Sequence, residues 1–319
     1  MKAQLWLGTW SLGGEGFGPV DARESRKIIE YALEKGITHF DTAQFYAHGK
    51  SESHLSQALK TSAQARENYF ISSKGGLLWR GKLVKHDASA QALTETLYKS
   101  LDTLKTDYLD LYQLHWPDPN TPISESIETL KALQKKGLIR HWGVGNLSVA
   151  ELKQHCPEGA QIYHQVRHNP IHRNDETLIA GRHHKRTINC IISPLEQGLI
   201  SGPTSESPIK KLGNKDVRHR NPYFNSPEIN QWLHTYQALI AKQDFSCAQI
   251  ALLWQFQQAE VDAVIIGPKR LHQLKDFLTI LPLIKSYKKN EQSTKPIHIN
   301  KDLLQHLNNP PNLKNTRRP

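Results

Sequence analysis

Four side chains able to move or hold a proton stand at or just beyond the ends of short apolar runs. Asp41 closes Ile37–Asp41, Lys74 closes Tyr69–Lys74, His115 closes Tyr108–His115, and Tyr46 follows Asp41 in a polar loop. A phenol with a reference pKa of about 10 is a poor proton donor near neutrality. A lysine ammonium beside it favours the phenolate and is expected to lower that value. A carboxylate next to the lysine keeps the ammonium charged in a partly buried place. An imidazole at the same mouth can hold a carbonyl oxygen in position. Such a set suits protonation of a developing alkoxide, the oxygen half of carbonyl reduction. The carbon half needs a hydride that no side chain supplies, so a nicotinamide cofactor is expected. Singly, each residue has a plainer reading: Asp41 as a helix cap, Tyr46 as packing, Lys74 as a surface cation, His115 as a core imidazole. The chemistry rests on their convergence. Within the stretch Gly36–Glu52, His48, Lys50 and Glu52 read as loop and helix-start residues.

These side chains converge only if the apolar runs are neighbouring strands. Runs at Leu5–Trp10, Ile37–Asp41, Tyr69–Lys74, Tyr108–His115, Ile139–Val144, Ile162–Val166, Thr187–Ser193 and Ala263–Ile266 alternate with stretches of helical period. Helices are expected at Asp21–Lys35, where Asp21 and Glu24 have capping-box spacing, near Ser51–Leu59, and along the face Leu93, Leu97, Leu101 and Leu104. Further helices follow an N-cap Thr121 with an N1 proline, a box Ser148–Glu151, about Glu176–Lys185, after Ser226-Pro227, after Ser246, and over Leu271–Thr279. A long polar loop spans about Gly198–Asn225. Eight strand–helix units in alternation predict a parallel sheet covered by helices, and eight strands close a (β/α)8 TIM barrel. Residues 1–319 are expected to form this single domain, with a basic, Asn- and Pro-rich tail over residues 282–319 outside the strand–helix count. Strand ends and following loops share one face of such a barrel, which places the four residues together.

Composition narrows the function classes. The 319 residues carry a formal charge of +11 and a pI near 9.4, yet no nucleic-acid module accompanies the basic stretches, so a nucleic-acid partner is not expected. No apolar run reaches membrane-spanning length, and Met1–Gly8 is too short for a signal peptide core. Cys156, Cys190 and Cys247 are scattered, which points to a reducing, cytoplasmic compartment. Among the 17 histidines, His183-His184 and His164/His168 lack a completing ligand, and no metal site is expected. Gly13–Gly18 precedes a helix but does not fit GxGxxG, and the helix begins only near Asp21, so a Rossmann fold is set aside for a barrel with a glycine-rich lip.

Several long segments, in order along the chain, resemble the aldo-keto reductase family. They are LGTWSLGG (7–14), GITHFDTAQFYAHGKSE (36–52), ISSKGG (71–76), YLDLYQLHWPDP (108–119), GLIRHWGVGNLS (137–148), ISPLEQGLISG (192–202) and IIGPKRLHQL (265–274). The resemblance implies a barrel reducing aldehydes or ketones with NADPH, or running the reverse oxidation with NADP+. It places the family's tetrad on Asp41, Tyr46, Lys74 and His115, with Tyr46 as the acid. It implies cofactor contacts from Gly8, Thr9, Trp10 and Asp41, with Asn146 and Gln165 at the nicotinamide carboxamide. Ser193, Leu195, Gln197 and Gly198 would follow the pyrophosphate, and Gly267, Lys269 and Gln273 would surround the adenosine phosphate. Lys269 beside a helix N-terminus is a sound anion site on its own terms. Trp10, Tyr46, Trp79, His115 and Trp116, with Phe45, are expected at the substrate mouth and favour an apolar or aromatic small-molecule carbonyl or alcohol. Three positions depart from the family pattern: Ile192 where an aromatic commonly stacks on the nicotinamide, Gly145 where Ser often precedes the Asn, and Phe277 for the Asn that often meets the adenine. The weaker nicotinamide stacking at Ile192 and the basic tail support an alternative, an NADPH-binding regulatory or partner-binding barrel with little turnover. Neither the substrate nor the oligomeric state is legible in the chain.

Overall fold

The computed structural model describes residues 4–62, 64–156, 161–174, 176, 179, 186–202, 212–241, 243–284 and 299–311. Its strands are β1 Gln4–Gly8, β2 His39–Asp41, β3 Phe70–Gly75, β4 Leu77–Arg80, β5 Leu83–His86, β6 Leu109–Leu114, β7 Ile139–Gly145, β8 Ile162–Arg167, β9 Thr187–Ile192 and β10 Ala263–Ile266. Eight of them close a parallel barrel in the order β1-β10-β9-β8-β7-β6-β3-β2. The helices around it are α1 Ala22–Glu34, α2 Lys50–Thr61, α3 Ala90–Leu104, α4 Ile123–Lys135, α5 Val149–His155, α6 Pro227–Ile240, α7 Cys247–Gln257, α8 Leu271–Leu278 and α9 Lys301–Asn308. The expected (β/α)8 architecture is the one found.

The strand periodicity explains the closure. Alternate residues of each strand point to opposite faces. One set, with Leu7, Phe40, Ile71, Tyr112, Val144, Ile191 and Ile266, packs under the helices in the larger core. The other set, with Trp6, Leu111, Tyr163, Ile188, Cys190, Ala263 and Ile265, forms a separate cluster from strands around the barrel and packs its interior. That plug gives the site a floor.

Some local expectations are revised. β1 stops at Gly8, and Trp10 opens a short 3-10 turn, Trp10–Leu12. Asp21 does cap α1, accepting from the Arg23 N–H at 2.7 Å, but Glu24 reaches across to accept from Leu271 N–H at 3.1 Å. The α4 N-cap is Pro122 rather than Thr121, whose hydroxyl donates to Asp118 at 2.7 Å. The box at Ser148 is as expected, and Ser246 with Gln249 forms a second one at the start of α7. Most of the helix expected at Glu176–Lys185 lies outside the described residues, as do His183-His184 and residues 203–211 of the long loop. The remainder of that loop contains 3-10 turns at Val217–Arg220 and Pro222–Asn225.

Two further elements carry no expectation from the sequence. The antiparallel hairpin β4–β5 is inserted between β3 and α3, with Gly81 at φ +60° taking the first corner of its two-residue turn. In the tail, α9 packs Leu303 and Leu307 against the core made with α6 and α7. The Trp254 indole donates to Asn308 Oδ1 at 3.0 Å, and the Trp232 indole donates to the Asn309 carbonyl at 3.3 Å, so the helix end is held by side chains of the body.

Two histidines, His168 buried and His39 half-buried, make stability depend on pH. Burial pushes His39 and His168 down from 6.5 to about 4. As pH falls below 6.5 the unfolded chain takes up these protons before the folded one does. Stability is therefore expected to fall between about pH 6.5 and 4, by roughly 3 kcal/mol for each group. Urea unfolding at pH 7 and pH 5 measures the loss, and His168→Gln should flatten its share.

Candidate active site

Each of the four expected residues sits where strand geometry delivers it. Gly8, Asp41 and Ser72 lie side by side across β1, β2 and β3, so Asp41 points into the barrel mouth. Two residues along β3, Lys74 points the same way. Tyr46 follows β2 on a 3-10 turn, Tyr46–Gly49, whose Ala47 and His48 adopt left-handed backbone at φ 51° and 55°. His115 lies just beyond β6, its N–H donating to the Gly75 carbonyl at 2.8 Å. The structure brings all four together.

The contacts define a proton-handling cluster. Lys74 Nζ donates to Asp41 Oδ2 at 2.7 Å, to the Thr42 carbonyl at 2.9 Å and to Tyr46 Oη at 3.2 Å. All three ammonium protons are used, and Lys74 is only 2% exposed. Asp41 also accepts from Gln165 Nε2 at 2.5 Å and from Ser72 Oγ at 3.4 Å. The His115 ring stands edge-on to Tyr46, 5.6 Å between centroids, and its buried Nδ1 has no partner among the described residues.

The electrostatics revise one expectation. Burial pushes the Tyr46 phenol above its usual 10. Lys74 pulls it down, but Asp41 partly cancels that pull, and the net shift is upward. Lysine alone therefore does not pre-ionise the tyrosine. Burial also acts to lower Lys74, but Asp41 and Tyr46 outweigh it, so the ammonium persists above its ordinary value. Burial, with Lys74 and His86, drives His115 well below 6.5, which leaves a neutral imidazole at pH 7. At neutral pH the cluster is thus an ammonium–carboxylate pair beside a protonated phenol and a neutral ring.

Aromatic rings wall the mouth. Trp10 stacks on Tyr46 at 5.8 Å, and Phe17 packs edge-on against Trp10. Trp79, carried by β4, lies flat on Phe45 at 4.6 Å and 4°, and the His48 ring also stacks on it at 4.6 Å. Its indole donates to the Phe45 carbonyl at 2.8 Å. Phe45 also stands edge-on to His115, 6.3 Å between centroids. Trp116 packs edge-on against His86.

The positions expected to hold a cofactor ring the same mouth, several with partners of their own. Thr9 N–H and Oγ1 both donate to the Asp41 carbonyl, at 2.9 and 3.2 Å. Asn146, at φ 60°, donates through Nδ2 to the His115 carbonyl at 2.9 Å. Gly145 has a local cause: a Cβ there would lie 3.2 Å from the His115 carbonyl oxygen, too close for a side chain without a shift. Ser193, Glu196 and Gln197 are left-handed, at φ 52°, 48° and 55°, and Gly198 follows at 92°, so the chain turns sharply between Leu195 and Gly198. Ile192 is half-buried, whereas Phe277 is packed in the outer core rather than presented at the surface.

A cationic corner lies at the start of α8. Just past β10 come Gly267, Pro268, whose carbonyl accepts from Ser11 Oγ at 3.0 Å, and Lys269. Lys269 Nζ donates to the Phe17 carbonyl of the glycine-rich lip. Burial, then Arg270 and Arg218, lower the Lys269 pKa, and Asp216, ion-paired with Arg218, opposes them. Gln273 Oε1 accepts from the Lys269 and Arg270 N–H groups at 2.8 and 3.0 Å, and Glu24 takes Leu271. An anion there would relieve the repulsion but would meet the Glu24 carboxylate as neighbour.

Sequence reading misses the support beneath the Ser193–Gly198 turn. Glu196 is fully buried and ion-paired with Arg167. It also accepts from Asn169 Nδ2 at 2.7 Å and Asn221 Nδ2 at 2.6 Å. In the sequence Glu196 is one polar residue in a polar loop, and only the fold shows three donors around it.

Fold and site now support comparison with known proteins. The aldo/keto reductase family model matches residues 4–292, and the chain belongs to this family of oxidoreductases. It is 30% identical over 277 residues to the aldo-keto reductase YhdN of Bacillus subtilis (strain 168), covering 85% of this chain and 83% of that protein. It is 28% identical over 298 residues to the NADH-specific methylglyoxal reductase of Escherichia coli (strain K12), covering 88% and 90%. Among solved structures it resembles the glycerol dehydrogenase AKR11B4 of Gluconobacter oxydans, with a TM-score of 0.76 and 26% identity over 98% of this chain and 95% of that one. Among the described residues no helix is long and apolar enough to cross a membrane, and no cluster of His, Cys, Asp or Glu could hold a metal ion.

Proposed function

We propose that the chain reduces the carbonyl group of an aldehyde or ketone, with NADPH as cofactor and Tyr46 as the proton donor. The observation that carries this reading is the chain of contacts from Tyr46 Oη through Lys74 Nζ to Asp41, with the neutral His115 ring beside the phenol. When bound, the nicotinamide cofactor supplies the hydride for the carbonyl carbon. The protein's own part is the oxygen. Tyr46 keeps its proton at neutral pH and stands ready to give it to the alkoxide as it forms. Lys74 then stabilises the phenolate left behind, and Asp41 keeps Lys74 charged. His115, neutral and with a nitrogen that has no partner among the described residues, can orient the carbonyl oxygen. The same groups serve alcohol oxidation in reverse.

The mouth suits a cofactor of this kind. Asn146 and Gln165 would hold its carboxamide end, Gln165 by sharing or leaving its bond to Asp41. The Ser193–Gly198 turn and the Gly8–Trp10 segment would line the middle. Gly267, Lys269 and Gln273 would face its adenosine phosphate, and the cationic corner supports NADPH. The Glu24 carboxylate and the buried Phe277 weigh on the other side, as does a relative named for NADH specificity. Lys269→Ala is accordingly expected to weaken NADPH binding about tenfold and NADH binding little, read from dissociation constants measured by fluorescence titration.

The aromatic walls favour an apolar or aromatic small-molecule substrate. The reading is tested by following NADPH and NADH oxidation across aldehydes, ketones and sugars. Tight NADPH binding without turnover of any of them would favour the regulatory barrel instead. A single domain over residues 1–319 and a cytoplasmic location, the latter fitting three free cysteines, complete the proposal.

A further inference from the structure

Glu52 is fully buried in the first turn of α2, yet no step above uses it. Its Oε1 accepts from Ser73 Oγ at 2.6 Å, and Ser73 Oγ lies 3.3 Å from Ser100 Oγ on α3. Its Oε2 has no partner among the described residues. Ser73 is the β3 residue before Lys74, and its side chain points outward where Lys74 points inward. The carboxyl therefore sits behind the Lys74–Asp41 pair, one strand layer away. It also follows Tyr46 by six residues, at the start of the helix into which the Tyr46 turn runs. A buried carboxyl with a single donor is costly to keep, and packing alone would be served by an apolar side chain.

We propose that Glu52 is a positioning residue that acts through Lys74. It ties the helix behind the Tyr46 turn to the strand that carries Lys74, and its charge state sets how strongly Lys74 stabilises a phenolate at Tyr46. The inference rests on the assignment of Tyr46 as proton donor. The groups facing the carboxyl are Lys74 and Ser73 from β3, Tyr112 from β6 and Ser100 from α3. Tyr112 donates to the Leu93 carbonyl at 2.9 Å and stays a neutral phenol. His54, further along α2, contacts the Leu12 carbonyl instead, and Lys99 on α3 is solvent-exposed. Burial raises Glu52 to about 7, against the hydrogen bond from Ser73, the nearby Ser100 hydroxyl and the attraction of Lys74. Protonated, it leaves the Lys74 field intact. Ionised, it offsets part of that field, and the Tyr46 proton becomes harder to give up.

The sign follows. Tyr46 stays protonated and His115 stays neutral between pH 6 and 8, so neither makes the single-turnover reduction rate vary there. The rate should instead fall about threefold as Glu52 ionises. Glu52→Gln keeps the shape and the acceptor for Ser73, and should hold reduction at the faster, low-pH level through pH 8. Ser73→Ala removes a bond that favours the ionised form, so its fall should move to higher pH. A purely structural role would slow Glu52→Gln at every pH and could not produce a gain at pH 8. A readout free of turnover is the Tyr46 phenolate absorbance, taken as the difference between each protein and its Tyr46→Phe counterpart. Glu52→Gln should lower that titration midpoint by about half a pH unit. An unchanged midpoint, or the parent's pH dependence persisting in Glu52→Gln, overturns the proposal. If no carbonyl is reduced at all, the functional reading fails while the phenol titration still decides the coupling.

Discussion

Carbonyl reduction by Tyr46→Phe is expected to fall about a thousandfold, with cofactor binding unchanged within about twofold. A positioned proton donor contributes roughly 10²–10⁴ to a rate, and the phenylalanine ring keeps every contact of the tyrosine except the hydroxyl. Trp10 can still stack on the ring at the same place, and the His115 edge contact survives. What disappears is the acceptor 3.2 Å from Lys74 and the only proton aimed at the substrate oxygen by that ring. Because Lys74 retains Asp41 and the Thr42 carbonyl, the fold should lose little. The measurement is single-turnover reduction alongside NADPH titration. Reduction at the parent rate would remove Tyr46 from the mechanism.

Lys74→Met is expected to act on both activity and stability. Removing one member of a buried ion pair leaves the other charge without compensation, which typically costs about 3–5 kcal/mol. Here the remaining charge is Asp41, 4% exposed, held then only by Gln165 and Ser72. Urea unfolding should show a loss of about 3 kcal/mol, and reduction should fall by at least about a hundredfold because no cation stabilises the Tyr46 phenolate. The double variant Lys74→Met, Asp41→Asn separates the two effects. Its stability should recover most of the loss, since an uncharged amide replaces the stranded carboxylate, while its activity should not return. Stability that stays low in the double variant would mean that Lys74 acts mainly through packing.

The histidine-linked acid lability, the Lys269 effect on cofactor choice and the Glu52 effect on pH dependence probe three other layers of the molecule. They touch the barrel interior and its surroundings, the cofactor corner and the back of β3. Each can fail without the others.

By itself the sequence determined the strand–helix alternation, because hydrophobic period is a local property. It also determined that Asp41, Tyr46, Lys74 and His115 share one rim, because parallel strands in a barrel all present their C-terminal ends on one face. Boundaries such as the end of β1 at Gly8 and the Pro122 cap moved by a residue or two, as hydrogen bonding decides them. The β4–β5 hairpin had a signal in Gly81-Lys82 between two short apolar runs, but the run of strand–helix units left no place for it.

Only the tertiary structure decided the quantities that depend on who faces whom. The sign of the Tyr46 shift needed the depth of burial and the second charge, Asp41, and neither is visible in chain order. Glu24 has the spacing of a cap for its own helix and instead caps α8, far along the chain. Glu196 and Glu52 are ordinary acidic residues in the sequence, and the fold buries both, one among three donors and the other with a single one. An ionisable side chain takes its chemistry from its surroundings, and those surroundings come from segments tens to hundreds of residues away.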